Sequence, residues 1–220
     1  MKYQNLLILG ASGGVGKWAL KMANERGYKI TVIVRSKASF GEIEGINVIE
    51  GSVLDSDVLE KAMQGQDAVL SCLGIKRKNQ ANPWSAMVSP IDFTEMVIKK
   101  TVAIMEKKGM QRLITLSSAG VGDSWSSVSS MMKFFVGSSN VRKTFTDLNN
   151  MEKILKGSDV DSLAVRPVAF VDAEPSSKTQ IVNRFDMSTK ISKSDVAQWM
   201  VDALERKERF GNPTEMIGWA

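Results

Sequence analysis

Apolar and polar positions along this chain switch repeatedly between two periods. Residues 3–10, YQNLLILG, form a continuous apolar run ending in glycine, the pattern of a strand buried on both faces. From Val15 the spacing becomes helical. Val15, Trp18, Ala19 and Met22 fall on one face and predict a helix over 15–27 that stops at Gly27. Further strands are predicted at KITVIVR (29–35), INVIEG (46–51), DAVLSCLG (67–74), QRLITLSSAG (111–120), DSLAVRP (161–167) and, closing the chain, PTEMIGW (213–219). Helical patterns separate them over 54–66, 89–109, 143–156 and 192–208. Asp55 or Ser56 would cap the first of these, and Ser192 or Ser194 the last.

Strands alternating with helices imply βαβ units. The expected fold is therefore α/β: a Rossmann-type, doubly wound parallel sheet with helices on both faces. The 220 residues suffice for one buried core, and no repeat or low-complexity linker divides them, so a single domain over 1–220 is expected. One stretch departs from the alternation. Residues 120–142, beginning GVGDSWSSVSSMMKFFVGSSN, are rich in Ser and Gly and carry Trp125, Met131, Met132, Phe134 and Phe135. The stretch reads equally as a lid over a ligand on the substrate side, with Trp125, Met131 and Phe134 toward it, or as a loop leading into a helix that simply packs.

Composition narrows the chemistry. No apolar run approaches the roughly 18 residues of a membrane span, and the N-terminus is too short and too strand-like for a signal peptide. A cytoplasmic protein without a membrane partner is expected. The single cysteine, Cys72, excludes an internal disulfide and suits a reducing compartment. The net charge is +5, yet Lys and Arg are scattered, with small groups only at Lys76–Lys78 and Lys107–Lys108. That distribution favours a solvated basic surface over a nucleic-acid stripe, and it suits an anionic cofactor or substrate. Nothing reads as a dimer seam, so a monomer or weak dimer is expected. The chain contains no histidine, which removes the common metal ligand and the common general base, and no metal site is expected.

The clearest candidate site is LLILGASGGVGKW. Gly10, Gly13 and Gly16 are spaced G-x-x-G-x-x-G between a strand and a helix at the start of a βαβ pattern. Gly10 permits the tight turn, Gly13 lets the backbone approach a pyrophosphate, and Gly16 lets the helix pack against the strand. The first helical N–H groups, from Gly14 and Val15, face the phosphates with the helix dipole behind them, and Ser12 adds a hydroxyl. At the end of the second strand, where an NAD site carries an acid, stand Arg35, Ser36 and Ser39. A guanidinium pairs with a 2′-phosphate that a carboxylate would repel, so NADP(H) is expected over NAD(H). Because ligands lie at the carboxyl ends of such strands, Ser52 and Val53 would meet the adenine. Cys72, Leu73 and Gly74 would face the ribose and pyrophosphate bridge.

The motifs ILGASGGVG, VIVRSKAS, GSVLD, GQDAVLSCLG, ITLSSAG, MEKIL and ISKSDVAQWM resemble the atypical short-chain dehydrogenase/reductase group, in its NAD(P)-binding, NmrA-like branch. Within that branch they are most similar to the biliverdin-IXβ reductases, also called flavin reductases. The resemblance implies cofactor roles for Gly10, Ser12, Gly13, Val15, Arg35, Ser52, Val53, Leu73 and Gly74. It also implies that Ser117 sits beside the nicotinamide and substrate, with Pro167 and Val168 lining the nicotinamide from the far side. The Tyr-x-x-x-Lys pair of carbonyl-reducing members is missing, because Tyr3 is followed four positions later by Leu7 and Tyr28 by Val32. Glu152 stands where the biliverdin/flavin reductases have a histidine.

Without that pair, an acceptor that manages its own proton is favoured. Ser117 and Glu152 remain as catalytic candidates. Ser117 reads equally as a backbone cap, and Glu152 reads more readily as a surface residue than as an acid. The expected activity is NADPH-dependent hydride transfer to a planar small molecule such as a flavin, a quinone or a linear tetrapyrrole. A non-catalytic NADP(H) sensor is the alternative, and a nucleotide-sugar epimerase ranks last.

Overall fold

A computed structural model describes residues 3–41, 43–110, 112–176, 178–186 and 188–219. Gln111, with which one expected strand begins, lies outside the described residues. Strands β1 (Asn5–Leu9), β2 (Lys29–Val34), β3 (Ile46–Glu50), β4 (Ala68–Ser71), β5 (Arg112–Leu116) and β6 (Asp161–Pro167) alternate with helices. The helices of this half are α1 (Gly14–Glu25), the short α2 (Lys37–Phe40), α3 (Ser56–Ala62), α4 (Phe93–Lys108), α5 (Ser130–Gly137) and α6 (Val141–Lys156). The chain closes through β7 (Ala169–Val171), β8 (Thr179–Ile181), β9 (Lys190–Ser192), α7 (Lys193–Leu204) and β10 (Thr214–Trp219).

The sheet runs β3-β2-β1-β4-β5-β6-β10-β8, parallel throughout except that β8 pairs antiparallel with β10. This is the doubly wound order, with its switch point between β1 and β4. Every residue of β4 and β6 is buried, and so is β1 after Asn5, as strands covered on both faces require. Two apolar cores result. Leu6, Ile8, Leu70 and Ile114 pack toward α1 and α7, while Leu7, Leu9, Val69 and Leu113 pack toward α3, α4 and α6.

Local signals set the element ends. The Asp55 carboxylate accepts N–H bonds from Asp57 and Val58 and caps α3, and the Ser192 hydroxyl caps α7 by accepting from Asp195 N–H. Gly109, in the left-handed conformation, ends α4. Three corrections to the periodicity reading follow. Helix α4 begins at Phe93, not Ser89, because residues 76–88 fold back as a narrow arch: Lys78 N–H donates to the Ala86 carbonyl (2.9 Å) and Val88 N–H to that of Lys76 (2.7 Å). The short strands β7, β8 and β9 lack the alternation that would announce them, and α2 holds only four residues. Among the described residues no helix is long and apolar enough to cross a membrane.

Candidate active site

The carboxyl ends of β1, β2, β3 and β4 surround a cavity of about 540 Å³. Gly10, Ser12, Gly13, Gly14, Arg35, Ser52, Val53, Cys72, Leu73 and Gly74 all line it, so ten of the residues singled out from sequence share one wall. The glycines are required by geometry. Gly10 has φ +79°, and a Cβ there would stand 3.0 Å from the Cys72 carbonyl; at Gly16 a Cβ would come within 2.1 Å of the Gly10 carbonyl oxygen. Val15 and Gly16 are buried behind the turn. Helix α1 opens at Gly13 with no side-chain cap and no acidic residue in its first turn. Its leading N–H groups are thus available to an anion at the positive end of the helix.

Arg35 is exposed at the end of β2 and has no carboxylate partner among the described residues, since neighbouring Glu50 accepts the Lys37 N–H (2.7 Å). Ser36 and Ser39 do not line the same cavity. Ser36 caps α2 by accepting from Ser39 N–H (3.4 Å), and Ser39 shares with Ser12 and Lys17 an adjoining groove of about 610 Å³. Cys72 is buried, and burial pushes its thiol up to about 12, so it offers no thiolate.

The 75–92 segment was not singled out from sequence, yet it supplies Lys76, Gln80, Val88 and Pro90 to the cavity wall. The available signal was its length: a long connection leaving the strand at the switch point is uncommon unless it binds something. Its tip joins the 120–142 stretch. Trp84 Nε1 donates to the Ser138 carbonyl (2.9 Å), Asn140 Nδ2 donates to that of Trp84 (2.9 Å), and the Trp84 and Phe135 rings meet edge to face at 5.8 Å. Within 120–142, a 3₁₀ turn at Gly122–Ser127 leads into α5. Trp125 packs edge-on against Phe145 at 6.3 Å, whereas Met131 and Phe134 are 70% and 78% exposed; all three stand outside the cavity.

Beyond the cavity, at the end of β5, Ser117 is buried and its hydroxyl donates to Glu152 Oε1 (2.7 Å). Glu152 is not the surface residue its helix position suggests, being only 2% exposed. Arg166 on β6 reaches both its oxygens, Nε to Oε1 (2.8 Å) and an Nη to Oε2 (2.5 Å), and the same Nη donates to Asp123 in the 3₁₀ turn (2.8 Å). With three donors aimed at it, the Glu152 carboxyl group accepts on both oxygens. Burial alone would lower the Arg166 pKa, but its bonds to Glu152 and Asp123 outweigh that and hold it above its ordinary value. The Arg166 hydrogen bond, set against partial burial, holds Asp123 down at about 2. Arg166 and Asp123 went unnoticed in the sequence because nothing local pairs them with Glu152. Ser117 N–H donates to the Val165 carbonyl (2.7 Å) and Ala119 N–H to that of Pro167 (2.9 Å), Val168 is buried, and neither Pro167 nor Val168 lines the cavity.

A family model described as NAD(P)H-binding matches residues 10–207. The chain belongs to this NAD(P)H-binding family. Its fold is similar to that of ChuY, an anaerobillin reductase from Escherichia coli O157:H7, with a TM-score of 0.76 at 21% identity over 97% of this chain and 96% of that one. It is also similar to a short-chain dehydrogenase/reductase from Veillonella parvula DSM 2008 in complex with NADP, with a TM-score of 0.75 at 16% identity over 98% of this chain and 94% of that one. In sequence it is similar to divinyl chlorophyllide a 8-vinyl-reductase of Arabidopsis thaliana, 26% identical over 128 residues that make up 52% of this chain and 29% of the relative. The chain spans about a third of the length of the curated relatives it matches. These matches agree with the family resemblance carried by ILGASGGVG and its companion motifs.

The residues present fit the dinucleotide that this NAD(P)H-binding family takes. Gly13 and Gly14 present exposed backbone without side chains to the cavity, the helix behind them is uncapped, and the cavity extends from Arg35 to Gly74.

Proposed function

We propose that the chain is an NADPH-dependent reductase that passes hydride to a planar, conjugated acceptor and leaves the accompanying proton to solvent. In this reading Ser12, Gly13, Gly14 and Val15 hold the diphosphate, Arg35 the 2′-phosphate, Ser52 and Val53 the adenine, and Leu73 and Gly74 the adjoining ribose. Pro167 and Val168 back the nicotinamide. A reduced nicotinamide bound there supplies the hydride. The chain's task is then to fix two rings face to face, and proximity and orientation can lower a barrier by roughly 7–11 kcal/mol in favourable cases.

The observation that carries this reading is the hydrogen-bond state of Ser117. Its O–H is already donated to Glu152, which three donors occupy, so the hydroxyl can accept from the cofactor or substrate but cannot protonate an alkoxide. No histidine and no Tyr-x-x-x-Lys pair stands in for it. An acceptor whose own nitrogen or conjugated carbon takes the hydride needs no such acid. The 120–142 lid and the 75–92 arch, joined through Trp84, give the acceptor its apolar platform: Trp84, Phe134 and Met131 are all exposed. Tetrapyrroles are favoured among planar acceptors by the fold shared with an anaerobillin reductase and by the sequence likeness to a chlorophyllide reductase.

The test is stopped-flow oxidation of NADPH with FMN, riboflavin, quinones and biliverdin in turn. Turnover with at least one planar acceptor and none with simple ketones is expected. Tight NADPH binding with no turnover on any acceptor would instead identify a non-catalytic NADP(H) sensor.

A further inference from the structure

Helix α7 begins beside the glycine turn, and its first residue reaches over it. A Cβ placed on Gly14 would stand 2.9 Å from Lys193 Cδ, 3.4 Å from Cε and 3.9 Å from Nζ. The lysine stem therefore lies across Gly14, the first residue of α1, in space that a side chain at position 14 would take. Its amine is beside the N-terminal end of α1, where the leading N–H groups have no side-chain cap. This amine pairs with Asp172 Oδ1 at 3.0 Å, on a side chain that is 95% exposed. Such a surface pair is weak and easily exchanged.

We propose that Lys193 is a diphosphate-binding residue, held by Asp172 until a dinucleotide arrives and then exchanged onto its phosphates. The turn itself brings only backbone N–H groups and the Ser12 hydroxyl to a doubly charged diphosphate. Lys193 adds a full positive charge from a different helix, over Gly14, which carries no side chain to keep it away. An ammonium on a flexible stem is suited to this, since it meets phosphate as a point charge and needs no fixed plane. The assignment concerns the phosphates that NADPH and NADH share. It rests on the family's NAD(P)H binding and stands or falls independently of the acceptor.

The test measures dissociation constants, with no acceptor present, for NADPH, NADH, ADP-ribose and 2′-AMP against wild type, Lys193→Met and Asp172→Asn. Methionine keeps the stem over Gly14 and removes the charge. Lys193→Met is expected to weaken NADPH, NADH and ADP-ribose by a common factor of roughly tenfold and to leave 2′-AMP unchanged. Asp172→Asn, which frees the amine, is expected to bind the three diphosphates at least as tightly as wild type. Unchanged affinities in Lys193→Met would overturn the assignment. So would equal weakening in Asp172→Asn, since the ion pair would then matter as a strut holding two segments. Failure of the reductase reading would show as absent turnover, which none of these measurements uses.

Discussion

The buried pair of Glu152 and Arg166 can be tested as a structural unit by replacing each partner with methionine. Both side chains are 3% exposed, and the guanidinium spans both carboxylate oxygens. Glu152→Met strands the Arg166 charge in the interior, and breaking such a pair from one side costs about 3–5 kcal/mol. Asp123 still accepts from Arg166 at the surface, which places the expected loss near the lower end, about 3 kcal/mol. In a chain of this size each kcal/mol moves the melting temperature by about 2–4 °C, so a fall of roughly 6–12 °C is expected. The double variant Glu152→Met/Arg166→Met leaves no uncompensated buried charge and is expected to be more stable than either single one. Urea and thermal unfolding of the four proteins read the coupling directly. A double variant as unstable as the sum of the singles, or a Glu152→Met protein that melts with the wild type, would refute the ion-pair account. It would also return Glu152 to candidacy as a proton donor.

Two further outcomes follow from the site. Arg35→Ala should weaken NADPH by roughly 10–100-fold, the worth of a charge-assisted bond to phosphate, and leave NADH unchanged; equal effects on both cofactors by fluorescence titration would remove Arg35 from the 2′-phosphate. Asp123 has an ordinary value of 3.8 and is held at about 2 in the folded protein. Between these values the unfolded chain binds more protons, so this group's contribution is present above pH 3.8 and is lost as pH falls through about 2. Melting temperatures between pH 4 and 2 should therefore fall less steeply in Asp123→Asn than in wild type, and parallel curves would show that Asp123 carries no such linkage.

The strand and helix alternation was legible because parallel strands buried on both faces must be apolar throughout, as in NLLIL and AVLS, and because their covering helices keep one apolar stripe. The lining of the cavity was legible for a related reason. The glycine turn, Arg35 and the strand ends each lie at a fixed offset from a strand, so once the elements are placed their carboxyl ends can share one edge. What escaped was non-periodic or long-range. The β7–β9 strands are three residues each, too short to establish a period, and the 75–92 arch is shaped by turns and polar contacts.

The sequence by itself determined the glycine turn, since a Cβ at Gly16 would stand 2.1 Å from the Gly10 carbonyl oxygen and Gly10 has φ +79°, and both requirements are written in one short stretch. Tertiary structure alone decided the chemistry beside it. Ser117, Glu152, Arg166 and Asp123 come from β5, α6, β6 and a 3₁₀ turn, and packing turns a glutamate on an apparent helix surface into a buried acceptor. Lys193 reaches the turn only because α7 packs along α1. Charges separated along the chain act on one another through distance in space, and sequence spacing does not encode that distance.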